Sequence, residues 1–144
     1  MLELRHIEIL DTTLRDGAQC EGVVFSREDK LKVLRRLDRL GVDYIEAGNP
    51  ASNPKDMELI KFACTQMKLE HARLAAFGAT CRVGQRAEES QGLNAIIESG
   101  ADLASLFGKS SLFHVREVLR AAPEENLRII RESVEYLTRK GVEV

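Results

Sequence analysis

The sequence has no block of basic residues and nowhere interleaves basic with aromatic side chains, which removes the footprint of a nucleic-acid binder. Charge is high but balanced, with 21 Lys and Arg against 23 Asp and Glu and a formal net charge of -2. No long polar or low-complexity segment is present, so disorder is not expected. No apolar run approaches membrane-spanning length. The first residues, Met1-Leu2-Glu3-Leu4-Arg5, lead into a strand-like run and do not resemble a signal peptide. These absences leave a soluble cytoplasmic protein as the expectation, with no nucleic-acid and no membrane partner. The 144 residues are enough for one domain with a real core.

Cysteine and histidine are also scarce. Cys20, Cys64 and Cys81 are odd in number and irregularly spaced, which fits neither a disulfide framework nor a zinc knuckle. Cys64 falls in an apolar helical pattern and reads as a small core residue. Cys20 and Cys81 follow predicted strands, but no histidine is paired with either, as nucleophilic catalysis would require. His6, His71 and His114 are far apart and read as surface or packing residues, with His114 the one exception to follow.

What the chain does contain is regular alternation. His6 to Leu10 reads as a short strand and Asp11 to Val24 as a glycine-containing loop. Ser26 opens a helix, with Asp29 three residues on as an acidic capping box. Leu31, Leu34, Leu37 and Leu40 form its apolar stripe, Gly41 stops it, and most of its Lys and Arg read as a solvated face. Val42 to Ala47 is the second strand, followed by a turn-rich loop. Asn53 caps the next helix, Pro54 takes its first position, and Met57, Phe62 and Met67 read as core filling. Ala72 to Phe77 is the third strand, Thr80 to Ser90 a loop, Gln91 to Ser99 a helix and Ala101 to Phe107 the fourth strand. A short helix is predicted from Phe113 to Arg120. Pro123 starts a long helix, with Leu127, Ile130, Val134 and Leu137 facing the core. Gly141 stops it, and Val142-Glu143-Val144 begins another strand.

Strand and helix thus alternate four times, which argues a parallel sheet with right-handed crossovers. The polar oddities lie just after strands: Arg15-Asp16, Glu46, Thr80-Cys81-Arg82 and Lys109-Ser110. In parallel α/β folds, chemistry collects at the carboxyl ends of strands. A small open doubly wound domain would usually carry a G-x-G-x-x-G turn after its first strand, and that motif is absent. The fold expected is therefore a parallel (βα)4 half of a TIM (β/α)8 barrel, stopping at the start of strand 5. Residues 1–144 would form a single partial domain.

Arg15-Asp16 is the stretch with chemical content. A carboxylate suits hard or borderline divalent metals, and arginine brings a fixed charge and a planar fork of donors. A surface Arg-Asp pair at a strand end is the bland alternative.

Asp11-Thr12-Thr13-Leu14-Arg15-Asp16-Gly17-Ala18-Gln19, followed by Gly41-Val42-Asp43-Tyr44-Ile45-Glu46-Ala47-Gly48, resembles the metal-dependent Claisen-condensing and retro-aldol family. Its members include isopropylmalate, citramalate and homocitrate synthases and hydroxymethylglutaryl-CoA lyase. Ser52-Asn53-Pro54-Lys55-Asp56, Ala76-Phe77-Gly78 and Phe107-Gly108-Lys109-Ser110 with His114 resemble the citramalate and isopropylmalate synthase branch.

The resemblance implies an N-terminal fragment of an acyltransferase that condenses acetyl-CoA with a 2-oxo acid, with pyruvate favoured over 2-oxoisovalerate. The product would serve isoleucine or leucine biosynthesis. It implies Asp16 as a ligand of a divalent metal (Mn, Mg or Zn) and Arg15 as the residue that binds keto-acid oxygens. Gln19, Lys109, Ser110 and His114 would contact substrate, and Glu46 would face the metal site, as an orienter before a base. Two features depart from the family pattern. Ser111-Leu112-Phe113 stands where a more polar segment with a tryptophan is expected, and the family's H-x-H metal pair does not occur.

The fragment is accordingly expected to be inactive alone. A carbon-carbon lyase of the hydroxymethylglutaryl-CoA type and a non-catalytic α/β binding or assembly module are the alternatives. Open strand edges with uncovered apolar faces predict a homodimer or larger assembly.

Overall fold

The computed structural model describes residues 7–144. His6 and the run Met1 to Arg5, read above as a histidine and the entry to a strand, lie outside the described residues. Four strands form one sheet in the order β1-β2-β3-β4, every neighbouring pair parallel: β1 (Leu10–Asp11), β2 (Tyr44–Gly48), β3 (Arg73–Ala79) and β4 (Leu103–Phe107). Between and after them run α1 (Arg27–Leu40), α2 (Pro54–Gln66), α3 (Gln91–Ser99) and α4 (Pro123–Arg139). Each strand is added on the same side of its predecessor. A doubly wound sheet reverses direction at a switch point, and no reversal occurs among these four strands. The expected (βα)4 barrel half is what the described residues form.

The start and stop signals act as the sequence implies. Ser26 and Asp29 make a reciprocal capping box at the head of α1, and Gly41 ends that helix in the left-handed region at φ 84°. Asn53 accepts from the Lys55 backbone N–H, with Pro54 at the first turn of α2. The core is built from the buried faces of these helices against the sheet, with Leu34, Ile45, Leu59, Ile60, Leu74, Leu93, Ile96, Ile129 and Leu137 all at most 2% exposed.

Several expected positions shift. Among the described residues only Leu10 and Asp11 pair with β2, so the described part of β1 starts later than the apolar run suggests. Val42 and Asp43 lead into β2 rather than belonging to it, and Ala101 and Asp102 do the same for β4. Leu40, assigned above to the apolar stripe of α1, is 75% exposed, because it lies in the last turn beyond the reach of the sheet. In α4, Leu127 and Val134 do not face the core. The buried face carries Asn126, Ile129, Ser133, Tyr136 and Leu137. Ser133 occupies that face because its hydroxyl accepts from the Cys81 N–H at 2.9 Å and donates to the Ile129 carbonyl at 2.6 Å. Tyr136 donates to Asn94 Oδ1 at 2.7 Å. On α2 Ile60 and Ala63 of the apolar pattern are buried, together with Leu59; Met57 and Phe62 are half-buried, and Met67, half-buried as well, packs against the core.

The short helix expected from Phe113 is a π-helical turn, His114–Val118. Thr80 to Ser90, read as a loop, contains a 3-10 turn at Ala87–Glu89. Glu143 forms a parallel bridge with Leu103. The Ala104 N–H donates to the Glu143 carbonyl at 2.7 Å, so the start of a further strand lies against β4 as expected. Among the described residues no helix is long and apolar enough to cross a membrane.

Candidate active site

The loop after β1 places Arg15 by local chemistry. Asp11 accepts from the Thr13 N–H at 3.0 Å and from the Thr13 hydroxyl at 3.1 Å, an Asx turn that bends the chain out of the strand. The Thr12 carbonyl then accepts from the N–H groups of Arg15, Asp16 and Gly17 at 2.8–3.2 Å. Leu14, fully buried, anchors the loop in the core. Arg15 is thereby directed back over the ends of the strands.

Three groups hold its guanidinium. Nε donates to Glu46 Oε2 at 2.5 Å, Nη1 donates to Asp16 Oδ1 at 3.0 Å, and the planar group lies over the Phe77 ring at 4.1 Å from the centroid. Glu46 projects from β2 and is 1% exposed, so its charge relies on the arginine for compensation. Asp16 is open to solvent, its side chain 63% exposed. Arg15, Gln19, Asn49 and Phe77 share a cavity of about 230 Å³ at the carboxyl ends of the first three strands.

The structure therefore brings together Arg15, Asp16, Glu46 and Gln19. Lys109 and Ser110 line a separate groove of about 760 Å³ beside β4, along with Leu106, Leu127, Ile130 and Val134. There Lys109 Nζ lies 4.6 Å over the Phe107 ring, and the Lys109 carbonyl accepts from Asn126 Nδ2 at 2.9 Å. His114 is exposed beside Phe113 and lines neither cavity.

Cys81 does not offer a reactive thiol. It is 2% exposed and its Sγ contacts the Ile129 carbonyl at 3.7 Å. Burial, with Asp102 nearby, pushes the Cys64 thiol up to about 11, so it stays protonated at neutral pH. Cys20 is exposed.

Four wall residues carried no role in the sequence reading: Phe77, Asn49, Lys30 and Asp56. Most of the Lys and Arg on α1 read as a solvated face, yet the Lys30 side chain is only 14% exposed and pairs with Asp56. The signal was its spacing: Lys30, Leu34 and Leu37 stand at i, i+4 and i+7, which sets the lysine at the end of the buried stripe. Asp56 stands in the same relation to Ile60 and Ala63 on α2.

Among the described residues no three His, Cys, Asp or Glu side chains converge as a metal centre would need. Asp16 is a single carboxylate engaged with Arg15, and Glu46 is turned inward on the same arginine. These residues do not by themselves make a metal site.

This arrangement can be compared with known proteins. The (R)-citramalate synthase of Sulfolobus acidocaldarius is 50% identical over 140 residues, covering 97% of this chain and 27% of that protein. The 2-isopropylmalate synthase of Pyrococcus furiosus is 36% identical over 135 residues, covering 94% of this chain and 26% of that protein. The chain thus spans about a quarter of the length of these relatives. Among solved structures, the HMG-CoA lyase of Bacillus subtilis superposes with a TM-score of 0.69 at 23% identity, covering 94% of this chain and 44% of that one. That likeness concerns the fold, which is that of the N-terminal part of a TIM barrel. The profile of the HMGL-like family matches residues 6–144, so the match takes in the Arg15 loop, Glu46 and all four strands: the chain belongs to the HMGL-like family.

Proposed function

We propose that this chain is the N-terminal half of the catalytic barrel of an acyltransferase that condenses acetyl-CoA with a 2-oxo acid. Pyruvate is the favoured acceptor and (R)-citramalate the product, in the branched-chain amino-acid route leading to isoleucine, in the cytoplasm. The observation that carries this reading is Arg15, held by Glu46 and Asp16 above Phe77 at the carboxyl ends of the strands. The higher identity to a citramalate synthase than to an isopropylmalate synthase supports the choice of acceptor.

Across the whole reaction, water is consumed and CoA is released by hydrolysis of the condensed thioester. In the condensing step, a base other than Glu46 takes a proton from the methyl group of the acetyl thioester and the resulting enolate carbon attacks the ketone. Negative charge then develops on the ketone oxygen. Arg15 supplies a fixed positive charge there, pre-set by Glu46, so little reorganisation is needed as charge builds. Gln19, which lines the same cavity, donates to the acid's oxygens. Glu46 orients Arg15 and does not serve as the base, because its carboxylate is buried on the guanidinium. Lys109, Ser110 and His114, if they contact substrate, do so from the β4 side. A divalent metal (Mn, Mg or Zn), with Asp16 among its donors, needs further ligands than the described residues offer. The chain alone is therefore inactive, and with its β4 groove uncovered it associates with further copies.

The test is to express the complete reading frame and follow thiol release from acetyl-CoA with pyruvate and with 2-oxoisovalerate. The expected result is turnover with pyruvate as the better acceptor, and none by the 144-residue chain. Cleavage of a hydroxyacyl thioester without condensation, or ordinary turnover by this chain alone, overturns the reading.

A further inference from the structure

The cavity that holds Arg15 has a second charged pair in its wall. Lys30 Nζ lies 2.7 Å from Asp56 Oδ1, with side-chain exposures of 14% and 11%. The pair ties the first turn of α1 to the first turn of α2. The other carboxylate oxygen, Asp56 Oδ2, accepts from the Asn49 N–H at 3.1 Å, just past the end of β2. At Gly48, with φ at 155°, the backbone runs so close to Asp56 that any Cβ would overlap the carboxyl group. Between Glu46 and Gly48 the β2–β3 register slips, so the end of β2 is bulged where it meets Asp56.

A buried ion pair is a weak stabiliser by itself, because desolvation offsets the attraction. An apolar pair would fill the same space, but it would not accept the Asn49 N–H and would not hold the bulge. The bulge lies directly after Glu46, between it and Gly48, and bulges re-aim the side chains next to them. We propose that Lys30 and Asp56 are positioning residues for Arg15. Asp56 fixes the bulged end of β2, and that end aims the Glu46 carboxylate at Arg15 Nε. Lys30 supplies the counter-charge that lets a carboxylate be buried there. Neither residue touches the reacting atoms. The catalytic consequence rests on the role proposed for Arg15, whereas the coupling itself does not depend on any substrate.

The coupling is read in the 144-residue chain from the Nε–H resonances of two arginines in ¹⁵N-labelled protein. Arg15 Nε is bound to Glu46, and Arg128 Nε is bound to Glu125 Oε2 at 2.7 Å on the distant α4. In Lys30→Met and in Asp56→Asn, solvent exchange at Arg15 Nε–H should quicken by about tenfold or more, with Arg128 unchanged. Lys30→Arg, which keeps the charge, should hold Arg15 near its native rate. If both arginines quicken together, the pair acts only as general scaffolding and the proposal is overturned. It is equally overturned if Arg15 is unmoved in Lys30→Met. That variant is the milder one and decides the matter if Asp56→Asn fails to fold. No substrate enters the measurement, so its failure is distinct from failure of the condensation assay.

Discussion

Arg15 is bound through Nε and Nη1 and stacked on a ring, three contacts that together require a planar fork. A lysine keeps the charge but neither the fork nor the stacking. In the acyltransferase proposed above, Arg15→Lys is expected to lower kcat by about 10²–10³-fold, the usual effect of losing a fixed donor at a developing oxyanion. Steady-state kinetics with saturating pyruvate checks this, and a loss of under tenfold would remove Arg15 from the centre of the mechanism. Arg15, Asp16 and Glu46 were legible in the sequence because each sits just beyond or at the end of an apolar strand, where polar residues are out of place. Lys30 was not legible, because a charged residue on an amphipathic helix reads as solvated unless its i+4 neighbour is counted. Gln19 shares the Arg15 cavity, whereas Lys109 and Ser110 line another groove and His114 is in neither.

At the scale of the elements, acidic side chains lock the amino ends of the strands. Asp38, on the buried face of α1, accepts from the N–H groups of Glu70, His71 and Ala72 at 2.9–3.1 Å, the segment that enters β3. Asp43 accepts from the Ile9 N–H at 2.7 Å and Asp102 from the Leu74 N–H at 2.9 Å. The last two stand two residues after a helix-ending glycine, so the recurrent Gly-x-Asp is a device that fixes one strand against its neighbour. Burial pushes the Asp38 carboxyl up, but the three N–H donors together outweigh it and hold the group below its ordinary 3.8. A depressed folded value contributes stability that is present above the unfolded value and is lost as pH falls through the folded one. The Tm difference between the native chain and Asp38→Ala should therefore be constant from pH 7 to about 5 and shrink below about 4. Thermal melts across that range check it, and a gap unchanged at pH 2 would contradict it. The residue patterns placed α3 and α4 correctly because Ser90, Gly100 and Pro123 punctuate them. Strand ends were less legible, since apolar character runs on past the last ladder hydrogen bond. The core face of α4 is legible only in part: Leu137 is buried as its spacing implies, whereas Asn126 and Ser133 are polar residues that take core positions with hydrogen bonds.

The whole molecule has two apolar borders. On the β1 side Ile7, Ile9 and Leu10 are 78%, 55% and 45% exposed. On the β4 side Leu127 and Val134, at 60% and 37%, line the large groove with Ile130 and Leu106. Contiguous exposed apolar surface favours association. Light scattering at micromolar concentration is expected to find dimers or larger species, and Leu127→Glu with Val134→Glu should shift them toward monomer. A native chain that is already monomeric would refute this. The barrel half was legible from the alternation of strands and helices. The identity of the groove-lining residues was not, because Leu127 and Val134 fit a core stripe equally well.

The order β1-β2-β3-β4 also governs how the chain acquires its structure. Each strand pairs with the one made just before it, about thirty residues earlier, a spacing typical of one βαβ unit. Among these four, no strand has to wait for a distant partner, so this part of the sheet can grow in the order of synthesis as the polypeptide emerges. Asp43 and Asp102 then act as successive latches, each closing on the strand before it once its own unit has appeared.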